Sequence, residues 1–278
     1  MNGAEPLRAA LGAALAAHAR LHLLGEALEH APATRGLAAA HPGQTTTLPM
    51  NERLQVHVAL GMATAGAIPV LSLATGAALW GALPGLAAAA ARGPELPARV
   101  IVRVPAQDTP LAALLGVPGL AIAAASSTEE LPALFAAAVA HVSGPRPTPV
   151  VLIEDDALPS LGALPPLALG QARRLRAGGA VSLLSFGAAA DPALQAAAVL
   201  ASEGIEAEVI DLRSLRPLDA SLLAQALLGT GRPVLVGAPR ELLLDATLLA
   251  FLRLESPPGL AEPTVPAIVA AAQASARF

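Results

Sequence analysis

Residues 181 to 236 decide the fold, because they contain three short apolar runs: VSLLSF at 181–186, EAEVID at 206–211 and PVLV at 233–236. The two segments between these runs each begin at an aspartate and end at a glycine, Asp191 to Gly204 and Asp219 to Gly229. These are helix start and stop signals. Strands that alternate with helices in this way predict a parallel sheet with right-handed crossovers.

The first half alternates in the same way but less regularly. Its predicted elements are helix 7–19, strand 21–24, helix 54–65, strand 68–73, a second helix before Arg92, strand 99–104, helix 127–141 and strand 149–153. Residues 157–171 are rich in proline and glycine and lack periodicity, which predicts a linker. We therefore expect an α/β protein of two doubly wound domains, 1–156 and 172–278, with a further helix at 242–254.

Composition excludes several classes of function. The 278 residues carry a formal net charge of -4, which gives no electrostatic footprint for nucleic acid. The chain has no cysteine and no lysine, which excludes disulfides, thiolate metal sites, Schiff-base chemistry and a Walker-type phosphate loop. The apolar run in the first 20 residues lacks a basic start and is broken by Arg8, His18 and Arg20, so we expect a helix of a cytoplasmic protein instead of a secretory signal.

No charged residue lies between Arg53 and Arg92. A helix that spans a membrane needs about 20 continuous apolar residues, and this run is interrupted by residues such as Gly66 and Pro69. A helix, a buried strand and a second helix therefore fit the run better. A membrane protein built around Leu54–Ala91 is the less favoured alternative.

The first helix of this run opens with Pro49-Met50-Asn51-Glu52, in which Pro49 and Asn51 are helix-start signals. After its first turn the helix is apolar on every side, which is typical of a helix in the core. Glu52 is then expected at the mouth of a buried helix. On spacing alone the carboxylate needs no chemical role, because an acidic residue in a first turn stabilises the helix dipole by roughly 0.3–1 kcal/mol.

Four segments carry a resemblance to a known family. They are Thr34-Arg35-Gly36-Leu37, Leu48-Pro49-Met50-Asn51-Glu52, the stretch from Gly61 to Gly66, and the stretch from Ala198 to Asp219, which ends in DLRSLRPLD. Together they resemble the beta subunit of thiamine diphosphate-dependent 2-oxoacid dehydrogenases of the pyruvate and branched-chain type, which are related to transketolase. The resemblance implies a pyrimidine-binding domain followed by a domain of the transketolase C-terminal type.

The resemblance also implies roles for two glutamates. The family's glutamate at the position of Glu52 hydrogen-bonds N1′ of the cofactor's aminopyrimidine. Its glutamate at the position of Glu26 belongs to an acidic relay near the cofactor, although a strand-end carboxylate without a chemical role is an equal alternative. The family's Gly-Asp-Gly motif with a downstream Asn is absent from this chain. The diphosphate and Mg²⁺ are therefore expected on an alpha subunit, with no metal ligand here.

By this resemblance the chain completes a site for oxidative decarboxylation of a 2-oxoacid and acyl transfer to lipoamide. Its expected partners are an alpha subunit, in an alpha2beta2 assembly, and a lipoyl acyltransferase. The alternative is a non-catalytic scaffold subunit of the same fold, which stabilises a partner or docks an acyltransferase.

Departures from the family favour the scaffold alternative, whereas the retained Glu52 argues against it. Family members have aromatic residues at Gly76 and Ala78, and the loop with their catalytic histidine is replaced here by residues 105–110. An acidic residue, an amide and an aspartate are likewise missing from the positions of Ser72, Gly81 and Pro84. His57 follows Glu52 by five residues, and Trp80 is the only large aromatic residue of the following helix. We expect both to be core residues.

Overall fold

The computed structural model describes residues 3–92, 98–155, 157–239, 242 and 259–276. The chain divides into two compact units, Met1–Leu169 and Gly170–Phe278. Each unit has a mainly parallel β-sheet with helices packed on it, and this confirms the predicted α/β class.

The first unit contains six strands and six helices among its described residues. The strands are β1 (Leu21–Gly25), β2 (Thr45–Thr47), β3 (Ile68–Ser72), β4 (Ile101–Pro105), β5 (Ala121–Ala124) and β6 (Val150–Glu154). The helices are α1 (Ala4–Ala17), α2 (Leu37–Ala40), α3 (Glu52–Thr64), α4 (Leu79–Ala91), α5 (Leu111–Leu115) and α6 (Leu131–Ser143). The predicted helices at 7–19 and 127–141 are therefore present, although α6 begins four residues later than expected.

The six strands pair in the order β5-β6-β4-β3-β1-β2, and every pair is parallel. Their carboxyl ends consequently lie along one edge. In register, Gly25 of β1 pairs with Ser72 of β3, which pairs with Arg103 of β4. Ligands of open parallel sheets bind outside this edge, so side chains at the strand ends and at the first turns of the following helices are the candidates for function.

Helix α3 begins at Asn51, whose side-chain oxygen accepts a hydrogen bond of 2.9 Å from the backbone N–H of Leu54. One face of α3 is buried, but the opposite face is open to solvent: Leu54 is 44% exposed and His57 is also exposed. The prediction that α3 is buried on every side is therefore wrong, and so is the prediction that His57 is a core residue. The Nδ1 atom of His57 lies 2.6 Å from the carbonyl oxygen of Arg53 in the same helix.

Helices α3 and α4 approach each other closely because α4 has glycines on the facing side. A Cβ atom placed on Gly85 would lie 2.8 Å from Cγ1 of Val56, and one placed on Gly81 would lie 3.0 Å from Cβ of Glu52. A larger side chain at either glycine would push the helices apart. Pro84 lies inside α4 without ending it.

The stretch between Arg53 and Arg92 forms helix α3, strand β3 and helix α4, as predicted. Each of these two helices has 13 residues. Across the part of the chain that the structure describes, no helix is both long and apolar enough to cross a membrane.

The second unit contains β7 (Arg173–Arg176), β8 (Val181–Ser185), α7 (Ala190–Ser202), β9 (Ala207–Asp211), β10 (Ser214–Arg216), α8 (Ala220–Thr230), β11 (Pro233–Val236), β12 (Gly259–Ala261) and α9 (Val265–Ala276). Its sheet has the order β12-β11-β8-β9-β7. All pairs are parallel except β7 with β9, which is antiparallel, so the all-parallel prediction is wrong at this edge. The helix predicted at 242–254 lies, apart from Leu242, outside the described residues.

Helix α8 shows how the sequence signals act in this unit. Oδ1 of Asp219 accepts a hydrogen bond of 3.0 Å from the backbone N–H of Leu222, as expected for a capping residue. The helix ends at Gly231, which has a φ of +66°, two residues after the predicted stop at Gly229. A left-handed residue of this kind favours glycine.

Candidate functional site

Glu52 is the first residue of α3, and its side chain is partly buried against α4. A Cβ atom on Gly81 would lie 3.3 Å from the Oε2 atom of Glu52, so the absence of a side chain at Gly81 leaves space beside the carboxylate. No hydrogen bond or ion pair to the carboxylate of Glu52 is present among the described residues. A partly buried carboxylate without a partner among these residues is available to accept a proton or an N–H group.

Glu26 follows directly on β1 and is connected to α3 through Gln55. The amide nitrogen of Gln55 donates to the carbonyl oxygen of Pro49 at 2.8 Å and lies 3.4 Å from Oε2 of Glu26. Gln55 is fully buried, and its Oε1 atom has no hydrogen-bond partner among the described residues. Gln55 lies one turn after Glu52 in α3. Through Gln55, Glu26 therefore contacts the same turn of the helix that contains Glu52.

A cavity of about 300 Å³ opens at the carboxyl edge of the first sheet. Its polar lining consists of Glu26, His30, Ser72, Arg103, Glu154 and Asp155. Glu52 is not among the lining residues. The structure therefore brings Glu26 into a polar cavity, and it leaves Glu52 outside that cavity beside Gly81.

Arg103 and Glu154 form the strongest polar contact in this cavity. Nε and Nη2 of Arg103 donate to Oε1 and Oε2 of Glu154, each at 2.7 Å, and Nη1 lies 3.4 Å from the hydroxyl oxygen of Ser72. Arg103 is only 3% exposed. The pair connects the ends of three neighbouring strands, and its bidentate geometry is the strong form of an arginine–carboxylate contact.

Gly76 marks the clearest departure from the resembled family. A Cβ atom at Gly76 would overlap the carbonyl oxygen of Gln107 and the backbone nitrogen of Thr109. Residues 105–110, which stand where the family has its histidine loop, therefore occupy the space that an aromatic side chain at Gly76 would need. This chain therefore lacks both the family's aromatic residue at Gly76 and its histidine loop. The loop that it has instead packs directly on Gly76.

Within the described residues, no group of three or more histidine, aspartate or glutamate side chains is arranged to hold a metal ion. Three carboxylates line the cavity, those of Glu26, Glu154 and Asp155, but the carboxylate of Glu154 is already paired with Arg103. The described part of the chain thus offers a proton-accepting group at Glu52.

The motif DLRSLRPLD in the second unit uses its polar groups for structure. Arg213 is fully buried, and its Nη1 donates to the carbonyl oxygen of Gln171 at 2.8 Å. Oδ2 of Asp219 accepts a hydrogen bond of 3.1 Å from the backbone N–H of Ala172, and the hydroxyl of Ser214 donates to the carbonyl of Pro217 at 2.7 Å. The motif therefore ties down the segment at which the second unit begins.

Comparison with known proteins agrees with this architecture. The family model described as "Transketolase, C-terminal domain" matches residues 170–242. The beta subunit of acetoin:2,6-dichlorophenolindophenol oxidoreductase from Cupriavidus necator is 30% identical over 223 residues, which are 73% of this chain and 64% of that subunit. A mitochondrial pyruvate dehydrogenase E1 beta-1 subunit from Arabidopsis thaliana is 38% identical over 132 residues, 43% of this chain and 34% of that subunit.

The chain is similar to beta subunits of 2-oxoacid dehydrogenases, and these matches support a divergent relative of that type. It covers less than two thirds of the length of these curated relatives. Among solved structures, a split-gene transketolase described as an inactive beta4 tetramer matches with a TM-score of 0.82 at 21% identity, over 100% of this chain and 99% of that one. At 21% identity, this similarity shows a shared fold and carries no conclusion about function.

The beta subunits that this chain resembles belong to thiamine diphosphate-dependent enzymes, and Glu52 stands at the position of their cofactor-binding glutamate in that resemblance. The free carboxylate of Glu52 is chemically suited to a ring nitrogen that shares a proton. The space beside Gly81 keeps the carboxylate accessible. The resembled family has aromatic residues at the positions of Gly76 and Ala78, one of which packs on the pyrimidine, and this chain has neither.

Sequence reasoning missed two residues of this region, Gln55 and Arg103. Gln55 was included in an apolar helix, although a single buried amide in such a helix is itself a signal of a polar contact. Arg103 and Glu154 stand at the ends of two predicted apolar strands, which could have suggested their pairing. Trp80, predicted to be a core residue, is 61% exposed, so that prediction is wrong.

Proposed function

We propose that this chain is the beta-type subunit of a cytoplasmic, thiamine diphosphate-dependent dehydrogenase that oxidatively decarboxylates a small 2-oxoacid. One observation carries the proposal: Glu52, at the start of α3 and at the carboxyl edge of a parallel sheet, has a carboxylate without a partner among the described residues. The proposal is supported by the resemblance, in which Glu52 stands at the position of the cofactor-binding glutamate.

In this proposal Glu52 holds a proton at the ring nitrogen N1′ of the aminopyrimidine. Thiamine diphosphate, when bound, supplies the nucleophilic carbon and the electron sink for decarboxylation. Glu52 keeps the ring in the protonation state that this chemistry needs. Gln55 orients Glu26 beside the same turn of α3, so Glu26 is the second member of a proton relay.

An alpha subunit completes the site in an alpha2beta2 assembly, and it holds the diphosphate and Mg²⁺. This division rests on the resemblance, because the family's Gly-Asp-Gly motif is absent from this sequence. The acyl group passes to a lipoyl acyltransferase. The relatives are named for acetoin and for pyruvate, so both compounds belong in any search for the substrate.

The test is an assay of the complex that purifies through an affinity tag on this chain from its native host. Reduction of 2,6-dichlorophenolindophenol is measured with pyruvate, branched-chain 2-oxoacids and acetoin, with and without thiamine diphosphate and Mg²⁺. We expect dye reduction that requires both additions. A complex that assembles with its partner but oxidises none of these compounds contradicts the proposal.

One specific observation favours the scaffold alternative: a Cβ atom at Gly76 would overlap the backbone of Gln107 and Thr109. Because residues 107–109 fill the position of the family's aromatic side chain, the site lacks the aromatic wall that family members have there. A scaffold subunit would assemble tightly with its partner and would leave thiamine diphosphate unbound. Calorimetric titration of the same complex separates the two functions, since only the enzyme binds the cofactor.

A further inference from the structure

The second unit has a small polar cavity at the edge where its parallel strands begin. Its volume is about 200 Å³, and its polar side chains are those of Arg174, Glu208, Gln225 and Thr230. Glu208 is the second residue of β9 and pairs in register with Ser182, the second residue of β8. Thr230 is the last residue of α8, just before β11. The described residues that line this cavity all belong to the second unit, so it is distinct from the site at Glu52.

Glu208 is the buried acid of this cavity, with a side chain that is 4% exposed. Its Oε1 accepts a hydrogen bond from the hydroxyl of Ser182, whose Oγ lies 2.6 Å from Oγ1 of Thr230. Its Oε2 accepts a hydrogen bond of 3.1 Å from Nε of Arg174. An ionised carboxylate has about four lone-pair positions. Glu208 is therefore fixed in place and can still accept a hydrogen bond from a ligand in the cavity.

Arg174 uses one of its three nitrogen atoms to hold this carboxylate. Its side chain is 41% exposed, and Nη1 and Nη2 make no hydrogen bond within the described part of the chain. The two Nη groups of a guanidinium match the spacing of two carboxylate oxygens. Because Arg174 lines the cavity and is oriented by a buried partner, these donors are available to the carboxylate of a ligand.

Three glycines shape the cavity. A Cβ atom at Gly179 or at Gly229 would meet no atom within 4 Å, so the absence of a side chain at these two positions leaves open space. A Cβ atom at Gly178 would overlap the backbone of Ala207 and Glu208. The loop that contains Gly178 can therefore lie directly on the start of β9, where it forms a wall of the cavity.

The charges of the cavity favour a ligand that carries both signs. Arg174 and Glu208 are the only charged side chains among its described lining residues, and their charges balance. The end of α8 adds backbone carbonyls at the negative end of a helix dipole, which favour a cationic group. A ligand of a few non-hydrogen atoms fits a volume of this size, since a water molecule takes about 30 Å³ in the liquid.

We propose that this cavity binds a small α-amino acid, whose carboxylate is held by Nη1 and Nη2 of Arg174 and whose ammonium group is held by Glu208 at the end of α8. The inference is independent of the proposed function. It assigns the second unit a binding site of its own, at the edge opposite to the carboxyl ends of its parallel strands.

The first test is calorimetric titration of the full chain at pH 7 with three probes: L-alanine, acetate and ethylammonium. Acetate has only the anionic group of the amino acid, and ethylammonium has only the cationic group. We expect saturable binding of L-alanine that is at least about tenfold tighter than that of either half, because each half lacks one charge-assisted contact.

The second test uses variants of the full chain. Arg174→Gln should weaken the binding of L-alanine by about tenfold or more, since the bidentate contact is lost. The matched control is Arg176→Gln on the same strand, which breaks a pair with Glu206 but does not line the cavity, and it should leave binding unchanged. Gln225→Ala keeps the pair of Arg174 and Glu208 and should weaken binding by about threefold.

Three results overturn the inference. The first is the absence of saturable binding of L-alanine to the full chain. The second is equal affinity for acetate and L-alanine, which means that the ammonium group makes no contact. The third is binding that neither Arg174→Gln nor Gln225→Ala changes, which places the ligand elsewhere. If Arg174→Gln does not fold, the three probes and Gln225→Ala decide, because the exposed Gln225 makes no hydrogen bond to the described residues.

Discussion

Arg103 and Glu154 form a buried, bidentate ion pair at the carboxyl edge of the first sheet, with both nitrogen–oxygen distances at 2.7 Å. The two residues come from β4 and β6, which are neighbours in the sheet. The side chain of Glu154 is 18% exposed and that of Arg103 is 3% exposed. A pair this well shielded is sensitive to the removal of one partner, because the other charge is then left desolvated.

We therefore expect Arg103→Met to destabilise the protein by about 3 kcal/mol, measured by urea unfolding of the isolated chain. The double variant Arg103→Met with Glu154→Leu should recover much of that stability, since it removes the unpaired charge. The matched control is Arg176→Met, which breaks a pair with Glu206, whose side chain is 63% exposed. Exposed pairs contribute about 1 kcal/mol or less.

If Arg103→Met and Arg176→Met lower the free energy of unfolding by equal amounts, this account of the buried pair is contradicted. Failure of the double variant to recover stability would show that Arg103 contributes through packing of its stem instead.

The glycines of the α3–α4 region give a second prediction. Gly81→Ala places a Cβ atom 3.0 Å from Cβ of Glu52 and 3.3 Å from its Oε2, so the carboxylate must shift. We expect turnover of the complex to fall by on the order of tenfold, because small displacements of a catalytic group are costly. Gly61→Ala has no atom within 4 Å of its new Cβ and lies on the open face of α3.

In the isolated chain, Gly61→Ala should raise the free energy of unfolding by about 0.5–1 kcal/mol, since glycine is unfavourable in a helix interior. Gly81→Ala should not show this increase. Thermal melting of the two variants provides the comparison, and a matching increase at Gly81 would mean that the helices separate freely.

Alternation and capping signals were sufficient to predict the elements that rest on local sequence. Asp219 caps α8, and the apolar strands β8, β9 and β11 lie at the predicted places. Strand β5, with the sequence AIAA, was not predicted, because alanine has little preference for strands and its pairing with the neighbouring β6 is a distant contact. The short edge strands β2 and β7 were not predicted either.

Features that depend on distant contacts could not be predicted from the sequence. Arg103 and Glu154 are 51 residues apart, and Gln55 and Glu26 are 29 residues apart. The exposure of Trp80 depends on which face of α4 packs on the rest of the unit, which apolar character alone does not specify. The roles of Glu52 and Glu26 stay predictions.

His141 gives a prediction about pH. Burial lowers the pKa of His141 below its ordinary value of 6.5, and its Nε2 lies 2.8 Å from the hydroxyl oxygen of Thr148. The unfolded chain therefore binds a proton more readily than the folded chain as pH falls below 6.5. The stability associated with neutral His141 is present above that pH and decreases as the pH is lowered toward the folded pKa.

His141→Gln retains a polar side chain next to Thr148 but cannot titrate. We expect the free energy of unfolding to decrease more for wild type than for His141→Gln between pH 7 and pH 5, measured by urea unfolding across that range. Parallel curves for the two proteins would contradict the lowered pKa.

The segment at 157–171 gives a prediction about proteolysis. Its start is held by Glu129, which accepts hydrogen bonds from the hydroxyl of Ser160 and, at 3.3 Å, from the backbone N–H of Leu161. The hydrogen bond from Ser160 holds the pKa of Glu129 below its usual range. We expect thermolysin to cut first between residues 162 and 171 and to leave a stable C-terminal fragment, as judged by mass spectrometry.

Ser160→Ala should widen the early cuts toward residue 157, because the anchoring hydrogen bond is removed. First cuts within 181–236 would mean that the proposed boundary between the domains is misplaced.

The most direct test of the account is the turnover of Glu52→Gln in the complex with the partner subunit. The substitution preserves size and most packing but removes the group that shares a proton, so turnover should fall by roughly 10²–10⁴-fold. Glu5→Gln, in the first turn of α1, is the matched control for a helix-end charge and should retain full activity. Both variants should be destabilised by no more than about 1 kcal/mol. An active complex that is indifferent to Glu52→Gln would contradict the cofactor role assigned to this residue.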